Sequence, residues 1–169
     1  MKPGRITRTD KTGEPFVIGT SGAEDFSCLC EMYHAFQPKA ASQGLPPEDP
    51  EICRNWIIRL FQIGENLLAW RGSAVIGHAA LIPDKNGRSG EFIIFVDQNN
   101  RNLGIGTELT RFALEKSREL GLGSVWLTVH LLNTIAIKLY RKFDFKYGDR
   151  DNYERVMSIE LRSSNSDQD

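Results

Sequence analysis

A single α/β domain built on a mixed β-sheet is the fold class this sequence predicts. Three patterns point to it. A short β-type run and two helical stretches fill the first third; three apolar runs separated by tight turns come next; strand and helix periods then alternate to the end. With 169 residues, 40% of them hydrophobic and 25% charged, the chain has the size and composition of one domain with its own core. The net charge is −1 with acidic and basic residues interleaved, so no nucleic acid or membrane partner is expected from bulk charge.

The elements follow in order. Residues 1–13 are polar and are expected to fray outside the domain, which is placed at 14–162. Residues 14–20 (EPFVIGT) are β-type. A helix is predicted over 23–36, where Phe26, Leu29, Cys30, Tyr33 and Phe36 recur at three and four, and Pro38 closes it. Residues 39–49 are irregular. Asp49 then caps a helix that begins at Pro50, with Ile52, Trp56, Leu60 and Ile63 as its buried stripe. Strands are predicted at 66–71, 74–82 and 90–97, joined at Gly72-Ser73 and at the turn 84–87, which makes a β-meander. Residues 106–120 form an amphipathic helix with Ile105, Leu109, Phe112, Ala113 and Leu120 on one face, ended by Gly121 and Gly123. A strand at 124–130, a helix at 133–142 and two strands within 145–161 around the turn 149–152 complete the domain. The tail 163–169 is expected to be disordered.

Cys28, Cys30 and Cys53 are odd in number and lack CxxC spacing, so neither a disulfide framework nor a metal site is expected, only partly buried thiols. The start Met1-Lys2-Pro3-Gly4 has no apolar signal region, and no apolar run approaches the roughly 18 residues of a membrane span. A cytoplasmic protein is the expectation.

One segment carries chemistry. In FIIFVDQNNRNLGIGTELTRFALEKS an apolar strand gives way to a polar loop, then to Gly104-x-Gly106 and a helix. A helix N-terminus leaves several N–H groups unpaired and carries partial positive charge, so a diphosphate placed there accepts their hydrogen bonds. Glycine lets the phosphates approach the backbone. The spacing meets neither the GxGxxG dinucleotide pattern nor the GKS/GKT of a nucleoside triphosphate loop. Taken alone, the two glycines are also compatible with a simple tight strand–helix turn.

The run V-D-Q-N-N-R-N-L-G-I-G-T resembles the Arg/Gln-x-x-Gly-x-Gly/Ala signature of the GNAT superfamily of acetyl-coenzyme-A-dependent N-acetyltransferases, with Arg101, Gly104 and Gly106 at its fixed positions. Downstream, V-H-L-L-N-T-I-A-I-K-L-Y-R-K-F-D-F is similar to that family's Asn-x-x-Ala-x-x-x-Tyr unit, with Asn133, Ala136 and Tyr140 matching. Asp144 stands where the family usually has Gly; Asp tolerates positive φ better than most residues.

The resemblance implies a GNAT-like fold: a mostly antiparallel central sheet flanked by about four α-helices. It implies acetyl-coenzyme A as cofactor, held by Arg101, Asn102, Leu103, Gly104, Ile105, Gly106 and Thr107 at the diphosphate. Val96 would offer its backbone, and Asn133 a hydrogen bond, to the pantetheine arm. Tyr140 would lie near the sulfur and protonate the departing thiolate.

The expected reaction is acetyl transfer to a primary amine, directly, in a ternary complex. The amine's proton would go to Glu91 first, or to His130; His78 and His34 are weaker candidates, and Asp84 is given no role. The acceptor, a small molecule or a peptide amine, would be met by the first 65 residues and the turn at 84–88, bordered by 39–49. A homodimer is common in the family. The reading from another class is a non-catalytic acyl-coenzyme-A-binding sensor or interaction domain on the same fold.

Overall fold

A computed structural model describes residues 4–151 and 154–161. The expected disordered tail and Asn152 lie outside the described residues, and Asp149, Arg150 and Asp151 of the expected final turn instead continue a strand. One eight-stranded sheet runs in the order β1-β2-β3-β4-β5-β6-β8-β7. The strands are β1 (Ile6–Thr9), β2 (Pro15–Thr20), β3 (Glu65–Arg71), β4 (Ala74–Pro83), β5 (Ser89–Val96), β6 (Ser124–His130), β7 (Lys146–Asp151) and β8 (Glu154–Glu160). Every neighbouring pair is antiparallel except β5 and β6, so the sheet is mixed and mostly antiparallel. The meander β3-β4-β5 has the expected connections, with Gly72 at φ 60° in the first turn.

Four α-helices cover the sheet: α1 (Phe26–Ala35), α2 (Pro50–Ile63), α3 (Ile105–Glu119) and α4 (Thr134–Lys142). The stretch expected to be helical over 23–36 opens as a 3-10 turn, Ala23–Asp25, and becomes α-helical only at Phe26. Helix α2 begins at Pro50, as expected, because the Asp49 carboxylate accepts from the amides of Glu51 and Ile52.

Strand alternation sends successive side chains to opposite faces. On one face Phe92 of β5 and Val125, Leu127 and Val129 of β6 join Ile105, Leu109 and Ala113 of α3 and Ile137 and Tyr140 of α4 in the larger core. On the other, Leu68, Trp70 and Val75 pack against Leu29, Met32 and Tyr33 of α1 and Cys53 and Ile57 of α2, with Phe95 of β5 against them.

Three expectations are corrected. Residues 6–9 do not fray: they pair with β2 over four positions, from Ile6 opposite Ile18 to Thr9 opposite Pro15. The stripe that α2 buries is Cys53, Ile57 and Leu60, whereas Ile52 is 60% and Ile63 40% exposed. Helix α2 lies against a sheet face already filled by α1, and only its inward side is covered. Leu120, expected in the core face of α3, is 40% exposed because the helix has ended at Glu119. Asp144 takes φ 66°, the conformation that its place in the sequence calls for. No helix among the described residues is long and apolar enough to cross a membrane.

Candidate active site

The parallel rungs between β5 and β6 are three: Ser89–Ser124, Gly90–Val125 and Glu91–Trp126. Both strands continue, β5 to Val96 and β6 to His130, each held on its far side by antiparallel neighbours. They therefore diverge beyond Glu91 and Trp126, leaving a wedge that opens toward Val96 and His130. Unpaired strand edges expose amides and carbonyls, so the wedge offers an extended amide-bearing chain a backbone to pair with.

The cradle lies at the open end. The loop after β5 is pinned by Asp97, which accepts from the Asn99 amide and from Asn100 Nδ2. Asn102 (φ 62°) and Gly104 (φ 92°) are both left-handed, and Gly104 is the N-cap of α3. Asp49 and Asn133 cap α2 and α4 through their side chains; no side chain caps α3. The first intrahelical amide of α3 is that of Glu108, bonded to the Gly104 carbonyl. The amides of Ile105, Gly106 and Thr107 remain for a ligand. A Cβ on Gly106 would stand 3.4 Å from Leu139 of α4 and 3.7 Å from Val96, so this glycine also lets α3 close down on β5 and α4. The only acidic residue in the first turn of α3, Glu108, would oppose a bound anion; Arg8 (3.0 Å) and Arg111 both pair with it.

Arg101 matches a signature, but its side chain turns back into the protein. Its Nε donates to the Val96 carbonyl at 3.0 Å and its Nη2 to the Gln37 carbonyl at 2.6 Å, with the guanidinium over the Phe36 ring. Only its backbone is left to face the cradle. Gln98 makes the same connection, accepting from the Gln37 amide and donating to the Ala35 carbonyl. These two side chains tie the end of α1 to the cradle loop.

At the apex of the wedge, Glu91 is half-buried, and loss of solvent raises its carboxyl pKa. Among the described residues, no hydrogen bond or ion pair engages that carboxylate. By alternation Glu91 shares the face of Phe95, toward α1 and α2. Tyr140 stands on the opposite face, its ring edge-on to Phe92 at 6.4 Å and against Phe145 at 5.8 Å. Burial holds its hydroxyl well above the usual tyrosine pKa. Asn133 caps α4, its side chain accepting from the Ala136 amide at 3.2 Å.

His130 is set apart. Four residues beyond Trp126 on β6, it lies roughly 13 Å from the apex, and its Nδ1 accepts from the Leu132 amide at 3.2 Å. His78 is structural: 1% exposed, with Nδ1 2.7 Å from the Tyr33 hydroxyl and Nε2 2.9 Å from Asn66 Oδ1. Asn66 donates its amide to the carbonyls of Leu60 and Gly64, so its oxygen faces the ring and His78 Nε2 carries the proton. Burial lowers the His78 pKa to about 3. Asp84 organises its own turn, accepting from Ser89 and from the amides of Asn86 and Arg88.

A cavity of 390 Å³ opens between α1, α2 and the loop joining them, lined among others by Tyr33, Lys39, Pro47, Glu48 and Ile57. Cys30 and Cys53 also border it, and burial raises both thiol pKa values. No group of three or more His, Cys, Asp or Glu among the described residues is arranged to hold a metal ion.

Sequence reasoning missed Asp10, Arg71, Gln98 and the diverging strands. The turn Asp10-Lys11-Thr12-Gly13 between two alternating runs was a hairpin signal. The ion pair of Arg71 with Asp10 had no local signal.

The family model described as the Acetyltransferase (GNAT) family matches residues 29–145. A mycothiol acetyltransferase from Catenulispora acidiphila is 34% identical over 90 residues, 50% of this chain and 29% of that protein. The chain thus spans less than a third of the length of that curated relative. Among solved structures, the GNAT domain of S. lividans PAT aligns with a TM-score of 0.81 at 15% identity, covering 93% of this chain and 97% of that one. The yncA protein from Salmonella typhimurium, solved with its cofactor acetyl-CoA, aligns with a TM-score of 0.70 at 16% identity, covering 90% and 98%. At these identities the structural matches show the fold.

Proposed function

The chain belongs to the acetyltransferase (GNAT) family, and from that premise we propose that it moves an acetyl group from acetyl-coenzyme A to a primary amine by direct transfer in a ternary complex. The observation that carries this reading is the short pairing of β5 with β6, which ends at Glu91 and leaves a wedge leading from the cradle to a carboxylate. The residues fit the cofactor: uncapped amides at Ile105, Gly106 and Thr107 suit its diphosphate, and the free edges of the wedge suit its amide-bearing arm. From Val96 back to Glu91 is five residues, roughly 16 Å along the strand. When bound, the cofactor supplies an activated thioester.

The chain's own groups then have distinct tasks. Glu91 takes the proton of the incoming amine from the face of α1 and α2. An amine of pKa about 10.4 is neutral in only about one molecule in a few thousand at pH 7, a barrier term of roughly 4–5 kcal/mol that a base within reach offsets. The raised pKa of Glu91 brings it nearer to working pH and improves it as a base. Tyr140, on the opposite face, donates its hydrogen bond to the departing sulfur. Burial keeps the proton on the oxygen at first, so Tyr140 stabilises the developing thiolate through this hydrogen bond and then protonates it. Base and acid on opposite faces fit direct attack through the wedge. Asn133 and the Val96 backbone orient the arm, and the cavity between α1 and α2 admits the acceptor.

Two measurements test these roles. Tyr140→Phe is expected to lower turnover about 10²-fold or more while changing acetyl-coenzyme-A affinity less than about threefold; unchanged turnover removes Tyr140 as the acid. In Glu91→Gln the acid limb of the pH–rate profile is expected to lose the break belonging to this carboxylate, a break lying above the ordinary Glu range in the parent. An unaltered profile excludes Glu91. The overall reading is tested by thiol release from acetyl-coenzyme A against a panel of small and peptide amines. Binding without release for every amine would favour a sensor domain.

A further inference from the structure

The polar opening segment is folded over the cofactor cradle, and its one lysine there has no task inside the protein. The turn between β1 and β2 is fixed by Asp10, which is buried and accepts from the Thr12 hydroxyl (2.6 Å) and from the amides of Thr12 (2.8 Å) and Glu14 (3.1 Å). Those contacts, Thr12 foremost, hold its pKa at about 2. Arg71 at the end of β3 joins Asp10 through Nη2 and reaches Asn100 through Nη1 at 2.8 Å; Asn100 in turn bonds Asp97. The Lys11 amide donates to the Leu103 carbonyl at 3.0 Å. Arg8 holds the same hairpin to Glu108 in the first turn of α3. The hairpin is therefore tied to the cradle loop at two points and to α3 at a third.

This leaves the Lys11 side chain lying across Gly104, with Cγ and Cε 3.8 and 3.9 Å from where a Cβ on that glycine would stand. Among the described residues its ammonium has no ion pair or hydrogen bond. Each nearby carboxylate is otherwise engaged: Asp10 by Arg71, Asp97 by Asn99 and Asn100, and Glu108 by Arg8 and Arg111.

We propose that Lys11 is a cofactor-binding residue: its ammonium closes over the diphosphate held at the N-terminus of α3, making the β1–β2 hairpin part of the donor site. A lysine carried on a preorganised turn acts there as a point charge that neutralises phosphate oxygens and supplies up to three donors. The inference rests on the coenzyme-A reading of the cradle. It goes beyond that reading in assigning a phosphate contact to a segment outside the matched signatures.

Calorimetry on the full chain separates the possibilities, with coenzyme A and 3'-dephospho-coenzyme A as probes. Lys11→Gln is expected to weaken both about tenfold, Lys11→Arg to restore most of the affinity, and Lys116→Ala, at the far end of α3, to change neither. The melting temperature of the unliganded protein should be unchanged in Lys11→Gln, since the side chain bonds nothing within the fold. Affinity in the parent should fall with added salt, more steeply than in the variant. Equal affinity of parent and Lys11→Gln for both probes overturns the proposal. A loss seen with coenzyme A alone also overturns it, by moving the contact to the 3'-phosphate. If the parent itself binds neither probe, the coenzyme-A reading of the cradle fails instead.

Discussion

Gly104→Val is expected to abolish cofactor binding while leaving the chain folded. Gly104 sits at φ 92° as the N-cap of α3, a conformation open to glycine and strained for a β-branched residue. Valine there must push the loop back to negative φ, which swings the amides of Ile105, Gly106 and Thr107 off a common target. Losing two charge-assisted bonds, each about 1.5–3 kcal/mol, corresponds to at least about a 100-fold loss of affinity. The stability cost should stay near 1–3 kcal/mol, because the surroundings of the missing Cβ hold only the movable Lys11 side chain. Gly104→Asn, which tolerates the left-handed region, should retain binding to within about tenfold. Calorimetry with coenzyme A and a thermal melt on each variant read the two effects separately. Coenzyme-A binding retained in Gly104→Val would falsify the cradle assignment.

The second large effect is on stability. His78→Ala is expected to cost about 3–5 kcal/mol by urea denaturation. It leaves the Tyr33 hydroxyl and the Asn66 oxygen without their partner at the junction of α1, β3 and β4, at about 1–3 kcal/mol each, and opens a cavity besides. The same residue sets a pH dependence. Its folded pKa is depressed to about 3 from 6.5. Between those values the unfolded chain binds a proton at this site that the folded chain does not. The contribution of His78 is therefore constant above pH 6.5, and stability declines by up to about 1.4 kcal/mol per pH unit as pH falls through the window toward 3. Asp10, with its pKa lowered from 3.8 to about 2, adds its own loss as pH falls from 3.8 toward 2, overlapping the acid end of that window. His78→Ala should flatten the slope between pH 6.5 and 4; a slope equal to the parent's assigns it to other groups.

What was legible from the residues was local. Asp49 before Pro50, Asn133 before Thr134, and glycines at 104, 106 and 121 are read within a few positions, because capping and φ preferences involve neighbours in the chain. The glycine turn and the strand and helix periods came from such signals; the donor-site motifs came from the resemblance to a family. Which face of α2 is buried did not. Ile52 and Ile63 are as apolar as Ile57, and only the position of α1 and the sheet makes Ile57 inward. His78 resembled a base until its partners, 45 and 12 residues away, showed it locked. Glu91 drew attention through the family resemblance of its strand, but its place at the apex follows from a pairing with Trp126 that stops.

The order of the helices and of the strands from β2 onward, the caps and the glycine turn at the head of α3 were determined by the sequence, since each depends on residues within about a turn of one another. Tertiary structure decided the rest. It set the divergence of β5 from β6, the opposite faces of Glu91 and Tyr140, and the return of Lys11 to Gly104, 93 positions along the chain. These depend on which surfaces the core brings together, and burial and long-range pairing leave no mark at a fixed spacing.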